Sequence, residues 1–231
     1  MDGPGGSGKS TVSRILARRL GLPCLNSGYI YRAVTLLVLE SGGGFDDREK
    51  VERIVHDMNL RFEEDADQTR VFIGDRDVTR HLKDRDLTPQ IYRIANDPHY
   101  RSLLVELQRR SAQPAGVVAE GRDMGSVIFP EADYKFYVDA SPETRARRQQ
   151  RDLEEKGQRQ TYKDVLVDVL ERDRHDRDRD IAPLRVPLGA TVIETDSMTV
   201  KEVVERILAE VESATRPNGD GSPAEVRGGN R

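Results

Sequence analysis

Gly3-Pro4-Gly5-Gly6-Ser7-Gly8-Lys9-Ser10-Thr11 decides what kind of fold this chain can adopt. The stretch satisfies G-x-x-x-x-G-K-[ST] and runs straight into apolar positions of helical spacing at Val12, Ile15, Leu16 and Leu20. Glycines let a backbone wrap around an anion with its N–H groups inward, and the start of a helix adds a favourable dipole. In such a P-loop Lys9 reaches the β- and γ-phosphates of ATP and the Ser10 hydroxyl ligates Mg2+. The expected ATP-binding residues are therefore Gly3, Pro4, Gly5, Gly6, Ser7, Gly8, Lys9, Ser10 and Thr11, with Ser10 on the metal. A P-loop ordinarily follows a strand, and only Met1 and Asp2 precede Gly3. We therefore expect a first strand to be missing, with Met1 an internal methionine and a short apolar segment upstream.

Outward from the loop, strand and helix patterns alternate. Leu22 to Leu25 reads as a short strand, and Asn26-Ser27-Gly28 leads into an apolar helix from about Tyr29 to Ser41 that carries Arg32. Glycines 42–44 end it. Between Asn59 and Thr79 the pattern turns to short strands: Leu60 and Phe62 alternate, then Val71-Phe72-Ile73, a Gly74-Asp75 turn and Val78-Thr79. Tyr100, Leu103, Leu104 and Leu107 recur at helical spacing between Pro98 and Ser111, with Arg101 beside them. Gly116 to Ala119 reads as a buried strand that delivers Glu120-Gly121-Arg122-Asp123 at its carboxyl end, where open α/β sheets bind ligands. Another strand, Tyr134 to Asp139, precedes a helix announced by Ser141-Pro142-Glu143 and running to about Lys156. Thr161 and Asp164 form a capping box for the next helix, striped by Val165, Leu166, Val169 and Leu170. A strand at Thr191 to Thr195 and a helix faced by Val200, Val203, Val204, Ile207, Leu208 and Val211 close the alternation.

The expected fold is α/β: a three-layer α/β/α P-loop arrangement with a mainly parallel sheet and helices on both faces. Its core covers about 1–44 and 98–212, with an inserted lobe at about 45–97 and a lid at about 148–180. Residues 213–231, rich in Gly, Pro, Asn and Ser, are expected to be a disordered tail.

Composition narrows the functions. Lys+Arg 37 against Asp+Glu 41 leaves a net charge of −4, which opposes general nucleic-acid binding. No apolar run approaches a membrane span, and no secretion signal is present, so we expect a cytoplasmic protein with no membrane partner. The single cysteine, Cys24, excludes an internal disulfide framework, and the four histidines form no zinc-like cluster. Only seven of the 37 basic residues are lysine; the rest are arginines, whose planar fork suits bidentate phosphate contacts.

The charged string from Glu171 to Asp180 puts Arg172, Asp176 and Arg179 at i, i+4 and i+7, on one face if helical. A kinase moving a phosphoryl group between two nucleotides needs mobile arginines of this kind over the transferred charge, and a closure that keeps water out. Arg148 and Arg151, three residues apart, are candidates for the same lid. The catalytic set is thus Lys9, Arg148, Arg151, Arg172 and Arg179.

Four of these motifs, in this order, resemble the bacterial-type cytidylate kinases among the nucleoside monophosphate kinases. They are Asp2 to Thr11, Asn26-Ser-Gly-Tyr-Ile-Tyr-Arg32, Val118-Ala-Glu-Gly-Arg-Asp-Met-Gly125 with Phe129-Pro130, and Arg172 to Leu184 ending in Ala-Pro-Leu. The resemblance covers about residues 2 to 212. It implies five parallel core strands, a lid, an enlarged monophosphate-binding insert, and transfer of phosphate from ATP to CMP or dCMP with Mg2+. It also implies a CMP site at Ser27, Arg32, Arg101, Arg122 and Asp123, joined from the lid by Arg172, Asp176 and Arg179. Glu120 would hold an Mg2+-bound water. Relatives commonly have Asp-[Ser/Thr]-Gly-Ala where this chain has Asn26 to Tyr29, and a serine where it has Tyr92. Other readings are a kinase of another monophosphate, a nucleotide-binding switch, or a binding remnant disabled by the missing strand. A monomer is expected.

Overall fold

The structure is a computed structural model that describes residues 1–215 except 66–67, 85, 113–115 and 156. The P-loop enters α1 (Lys9–Leu20), which stops at Gly21 in the left-handed region. Next come β1 (Cys24–Asn26), α2 (Ser27–Glu40), α3 (Arg48–Asp57), β2 (Leu60–Glu64), β3 (Thr69–Ile73) and β4 (Arg76–Asp77). A 3-10 turn (His81–Lys83) precedes α4 (Leu87–Ala95) and α5 (Pro98–Ser111), followed by β5 (Val118–Glu120) and a π turn (Met124–Ile128). The chain closes with β6 (Phe136–Asp139), α6 (Pro142–Glu155), α7 (Tyr162–Asp178), β7 (Thr191–Glu194) and α8 (Val200–Thr215).

Parallel pairing joins β1 to β5 and β6 to β7, giving the mixed α/β fold that the alternation requires. Between the two pairs lie Met1 and Asp2. Asp2 bridges Tyr137 in parallel register, its N–H donating to Phe136 at 2.8 Å and its carbonyl accepting from Val138 at 2.8 Å. On the other side the Met1 carbonyl accepts from Gly121 at 3.0 Å. Where a full strand is expected ahead of the loop, these two residues fill the position between β5 and β6. The Asp2 carboxylate also accepts from Met124 and Gly125 at 2.6 and 2.8 Å, anchoring the turn that follows Arg122 and Asp123.

Two apolar clusters hold the framework. One joins α1, β6, β7 and α8 through Val12, Leu16, Phe136, Ile193, Val204 and Ile207. The other joins α2 to the lobe and to α4, α5 and β5 through Val34, Val51, Val71, Ile94 and Leu104. The lobe's strands form an antiparallel sheet in the order β2-β3-β4; its last strand is Arg76–Asp77, directly after the turn, rather than the expected Val78-Thr79.

Boundaries differ from expectation for local reasons. The first strand starts at Cys24 rather than Leu22, because Pro23 has no N–H to give and contributes only its carbonyl, which accepts from Val118 at 3.0 Å. In α7 the helix continues through the charged string after its apolar stripe ends, because Asp173 and Asp176 on that stretch are buried. It stops at Asp178, so Arg179 is an extended C-cap, and only Arg172 and Asp176 share the helical face expected of all three. The final helix runs through Thr215, which corrects the start of the expected tail; 216–231 lie outside the described residues.

At Gly3, φ is +141° and a Cβ would collide with the Val138 carbonyl oxygen. We expect Gly3→Ala to cost about 3 kcal/mol, read as a shift of the urea midpoint. A cost below about 1 kcal/mol would contradict this close approach.

Candidate active site

A cleft of about 760 Å³ opens where the P-loop, the carboxyl ends of β1 and β5, α4 and the α6–α7 arm meet. Gly5 to Thr11 line it, as do Ser27, Arg32, Arg101, Arg122, Asp123, Arg148, Arg172, Asp176 and Arg179. Gly3 and Pro4 stand behind the loop, outside the lining. Arg151 also lies outside it, exposed on α6.

On the loop side Lys9 is 4 % exposed, and its ammonium donates to the Pro4 carbonyl at 2.7 Å. Burial first, and then the nearby Arg122 charge, bring its pKa down to about 7, against the opposing pull of Glu120, Asp176 and Asp2. Below pH 7 the side chain is charged before a phosphate arrives; above it, a neutral amine must take up a proton on binding. We expect nucleotide affinity to fall by up to about tenfold per pH unit above pH 7.5, with proton uptake visible as a buffer-dependent heat in calorimetry. Affinity independent of pH in that range would contradict a depressed Lys9.

Ser10 donates to Glu120 Oε1 at 2.6 Å. Asn26 donates its side-chain N–H to the same oxygen while its carbonyl oxygen caps α2 by accepting from Tyr29 N–H at 3.2 Å. A carboxylate at position 26 would set two like charges together; the amide holds Glu120 as a donor instead. Ser10 and Glu120 are hard oxygen donors of the kind that Mg2+ accepts, with water completing its shell.

Across the cleft, Arg101 and Asp123 are each 4 % exposed and form a buried ion pair. Arg122 donates to Asp176 at 2.8 Å, tying the β5 end to α7; burial works against its charge, and Asp176 more than restores it. Arg32 is held by the Leu82 and Asp84 carbonyls and the Thr88 hydroxyl at 3.1 to 3.3 Å. Arg179 donates to the Ala182 carbonyl at 2.6 Å, and burial, the largest influence, lowers its pKa. Arg148 is anchored to the Thr195 carbonyl at 2.6 Å.

The two sides nearly touch. A Cβ on Gly5 would stand 3.2 Å from Arg122 Nη2 and 3.3 Å from Arg172 Cδ. The lining also includes residues not foreseen, Tyr31 and Thr195 among them. Tyr31, 7 % exposed, lies beside Arg101 and Asp123, with burial pushing its hydroxyl up to about 12. Thr195 sits by Arg148. Tyr92 packs on His175, ring centroids 4.9 Å apart, spanning α4 and α7. Cys24 is no nucleophile here: burial pushes its thiol up to about 12.

A phosphate cradle set against a second arginine cluster defines a P-loop phosphotransferase acting between two phosphate-bearing molecules. The chain matches the cytidylate kinase family over residues 1–213. It is similar to the cytidylate kinase of Carboxydothermus hydrogenoformans, 38 % identical over 208 residues, covering 90 % of this chain and 94 % of that one. The cytidylate kinase of Caldanaerobacter subterraneus is 36 % identical over 216 residues, covering 94 % and 95 %. That of Methylococcus capsulatus is 38 % identical over 213 residues, covering 92 % and 96 %. The chain belongs to the cytidylate kinase family.

Proposed function

We propose that this chain transfers the γ-phosphoryl group of ATP to the phosphate of CMP or dCMP, giving ADP and CDP or dCDP. The observation that carries this reading is the approach of Arg122 and Arg172 to Gly5: a phosphate gripped by these arginines stands beside one held in the loop. Gly3 to Thr11 form and brace the ATP cradle, and Lys9 follows the charge of the moving group. Bound Mg2+, held by Ser10 and through water by Glu120, would neutralise charge between the β- and γ-phosphates.

On the acceptor side, Arg32, Arg122, Arg172 and Arg179 offer the forks that hold a phosphate, and Ser27 offers a hydroxyl. Asp123, steadied by Arg101, accepts from the cytosine amino group. Asp176 accepts from a ribose hydroxyl. Because the acceptor is already an ionised phosphate, positioning and charge neutralisation suffice without a strong base.

Residues 45–97 serve as the monophosphate lobe and 148–180 as a lid that carries Arg148, Arg151, Arg172 and Arg179 onto the substrates and keeps water out. The partners are small nucleotides, met as a cytoplasmic monomer without nucleic acid or membrane; no helix among the described residues is long and apolar enough to cross a membrane. Ion-exchange chromatography of a reaction holding ATP, Mg2+ and CMP tests the reading. Equal amounts of ADP and CDP are expected, whereas ADP without CDP would mean hydrolysis.

A further inference from the structure

The bulkiest fully buried side chain among the described residues is a charged one outside the cleft lining. Arg145 of α6 is 1 % exposed, and all three guanidinium nitrogens are engaged. Nε donates to the Ala140 carbonyl beyond β6 at 2.9 Å. Nη2 and Nη1 grip the two Asp173 carboxylate oxygens at 2.6 and 2.9 Å. Nη1 also donates to the Gly5 carbonyl of the P-loop at 3.1 Å. One side chain thus joins the end of β6, the phosphate loop and the helix that bears Arg172 and Asp176.

The Gly5 contact has a geometric consequence. No cis peptide occurs among the described residues, and in a trans peptide the C=O and the following N–H point in opposite directions. Drawing the Gly5 carbonyl outward onto Arg145 therefore turns the Gly6 N–H away from Arg145 and into the loop, where amides meet phosphate. Gly6 holds this orientation at φ +82°, a value that suits glycine. Asp173 meanwhile follows Arg172 and lies one turn before Asp176, so fixing Asp173 fixes how α7 presents both. A bidentate buried pair holds such an alignment more tightly than a single contact.

We propose that Arg145 and Asp173 form a positioning pair that aims the Gly6 amide at the donor phosphate and sets the register of Arg172 and Asp176 against the P-loop. This rests on the two-phosphate reading of the cleft. Neither residue touches substrate; they act through the loop and the helix.

Two variants of the full chain test it, with melting temperature, kcat, KM and MgATP and CMP affinities measured on each. Arg145→Met combined with Asp173→Leu removes both charges, so no lone buried ion is left, and is expected to melt within about 4 °C of the parent. Its kcat is expected to fall about a hundredfold through misplacement alone. MgATP binding should weaken about tenfold through loss of one amide contact, and CMP binding should weaken less, about threefold to fivefold, since Arg172 and Asp176 lose their register while Arg32, Arg101 and Asp123 remain. Arg145→Lys keeps the charge but cannot meet all three partners, and should show the same split. Parent-like kcat and MgATP affinity in a folded double variant would overturn the proposal, leaving the pair a purely structural tie. If the double variant does not fold, parent-like constants in Arg145→Lys would overturn it equally. A parent chain that fails to use CMP would refute the kinase reading instead, and the MgATP affinities would still decide the pair's role.

Discussion

Lys9→Ala is expected to lower kcat by about three orders of magnitude for every acceptor. The ammonium is the one positive charge of the loop itself, and its contact with the Pro4 carbonyl also holds the loop closed upon itself. Charge that spreads over a moving phosphoryl group is greatest at the transition state, so removing the ammonium costs rate more than ground-state affinity. Stability should hold, because a group whose charge burial already disfavours is not a net source of folding energy. Steady-state rates, with a melting curve beside them, check both halves. A loss smaller than tenfold in a folded protein would remove Lys9 from the chemistry.

Asp123→Ala is expected to act on the acceptor and on stability together. The carboxylate is buried against Arg101, and its removal strands a buried guanidinium at a cost of about 3 to 5 kcal/mol. Losing a charged acceptor for the cytosine amino group should also raise the KM for CMP by about two orders of magnitude, while the KM for ATP stays within about threefold. Asp123→Asn keeps the shape and one acceptor oxygen, so it should fold better and show a milder acceptor defect. An equal loss of ATP and CMP affinity in either variant would refute the assignment of Asp123 to the acceptor side.

Much of this architecture is legible along the chain because its signals are local. The P-loop spacing, the Pro98 and Pro142 helix starts and the Thr161 N-cap each act within a few residues, and the structure reproduces them. Helices α3 and α4 leave weaker traces. α3 buries only Val51 and Val55 among charged neighbours and owes its order to packing on α2 and α5.

The site divides in the same way. Ser27, Arg32, Arg101, Arg122, Asp123, Arg172, Asp176 and Arg179, the set that the family resemblance implies, all line one cleft. Arg151 does not reach its lining, and neither Gly3 nor Pro4 faces it. Nothing local marks Arg145 among the four arginines of α6, since only its partners Asp173 and Gly5, 28 and 140 residues distant, distinguish it from a solvated charge. Tyr31 is illegible for a related reason: in an apolar helix nothing local separates a core tyrosine from one beside a buried ion pair.

A chain of the cytidylate kinase family moves phosphate from ATP to a cytosine nucleotide. ADP release measured with ATP and Mg2+, offering CMP, dCMP, UMP, AMP, GMP and dTMP separately beside an acceptor-free blank, tests it most directly. Release is expected with CMP and dCMP and little with the other four or the blank, with the ratio of the first two reporting the ribose preference. Release that is equal across all six acceptors, or that proceeds as fast in the blank, would contradict it.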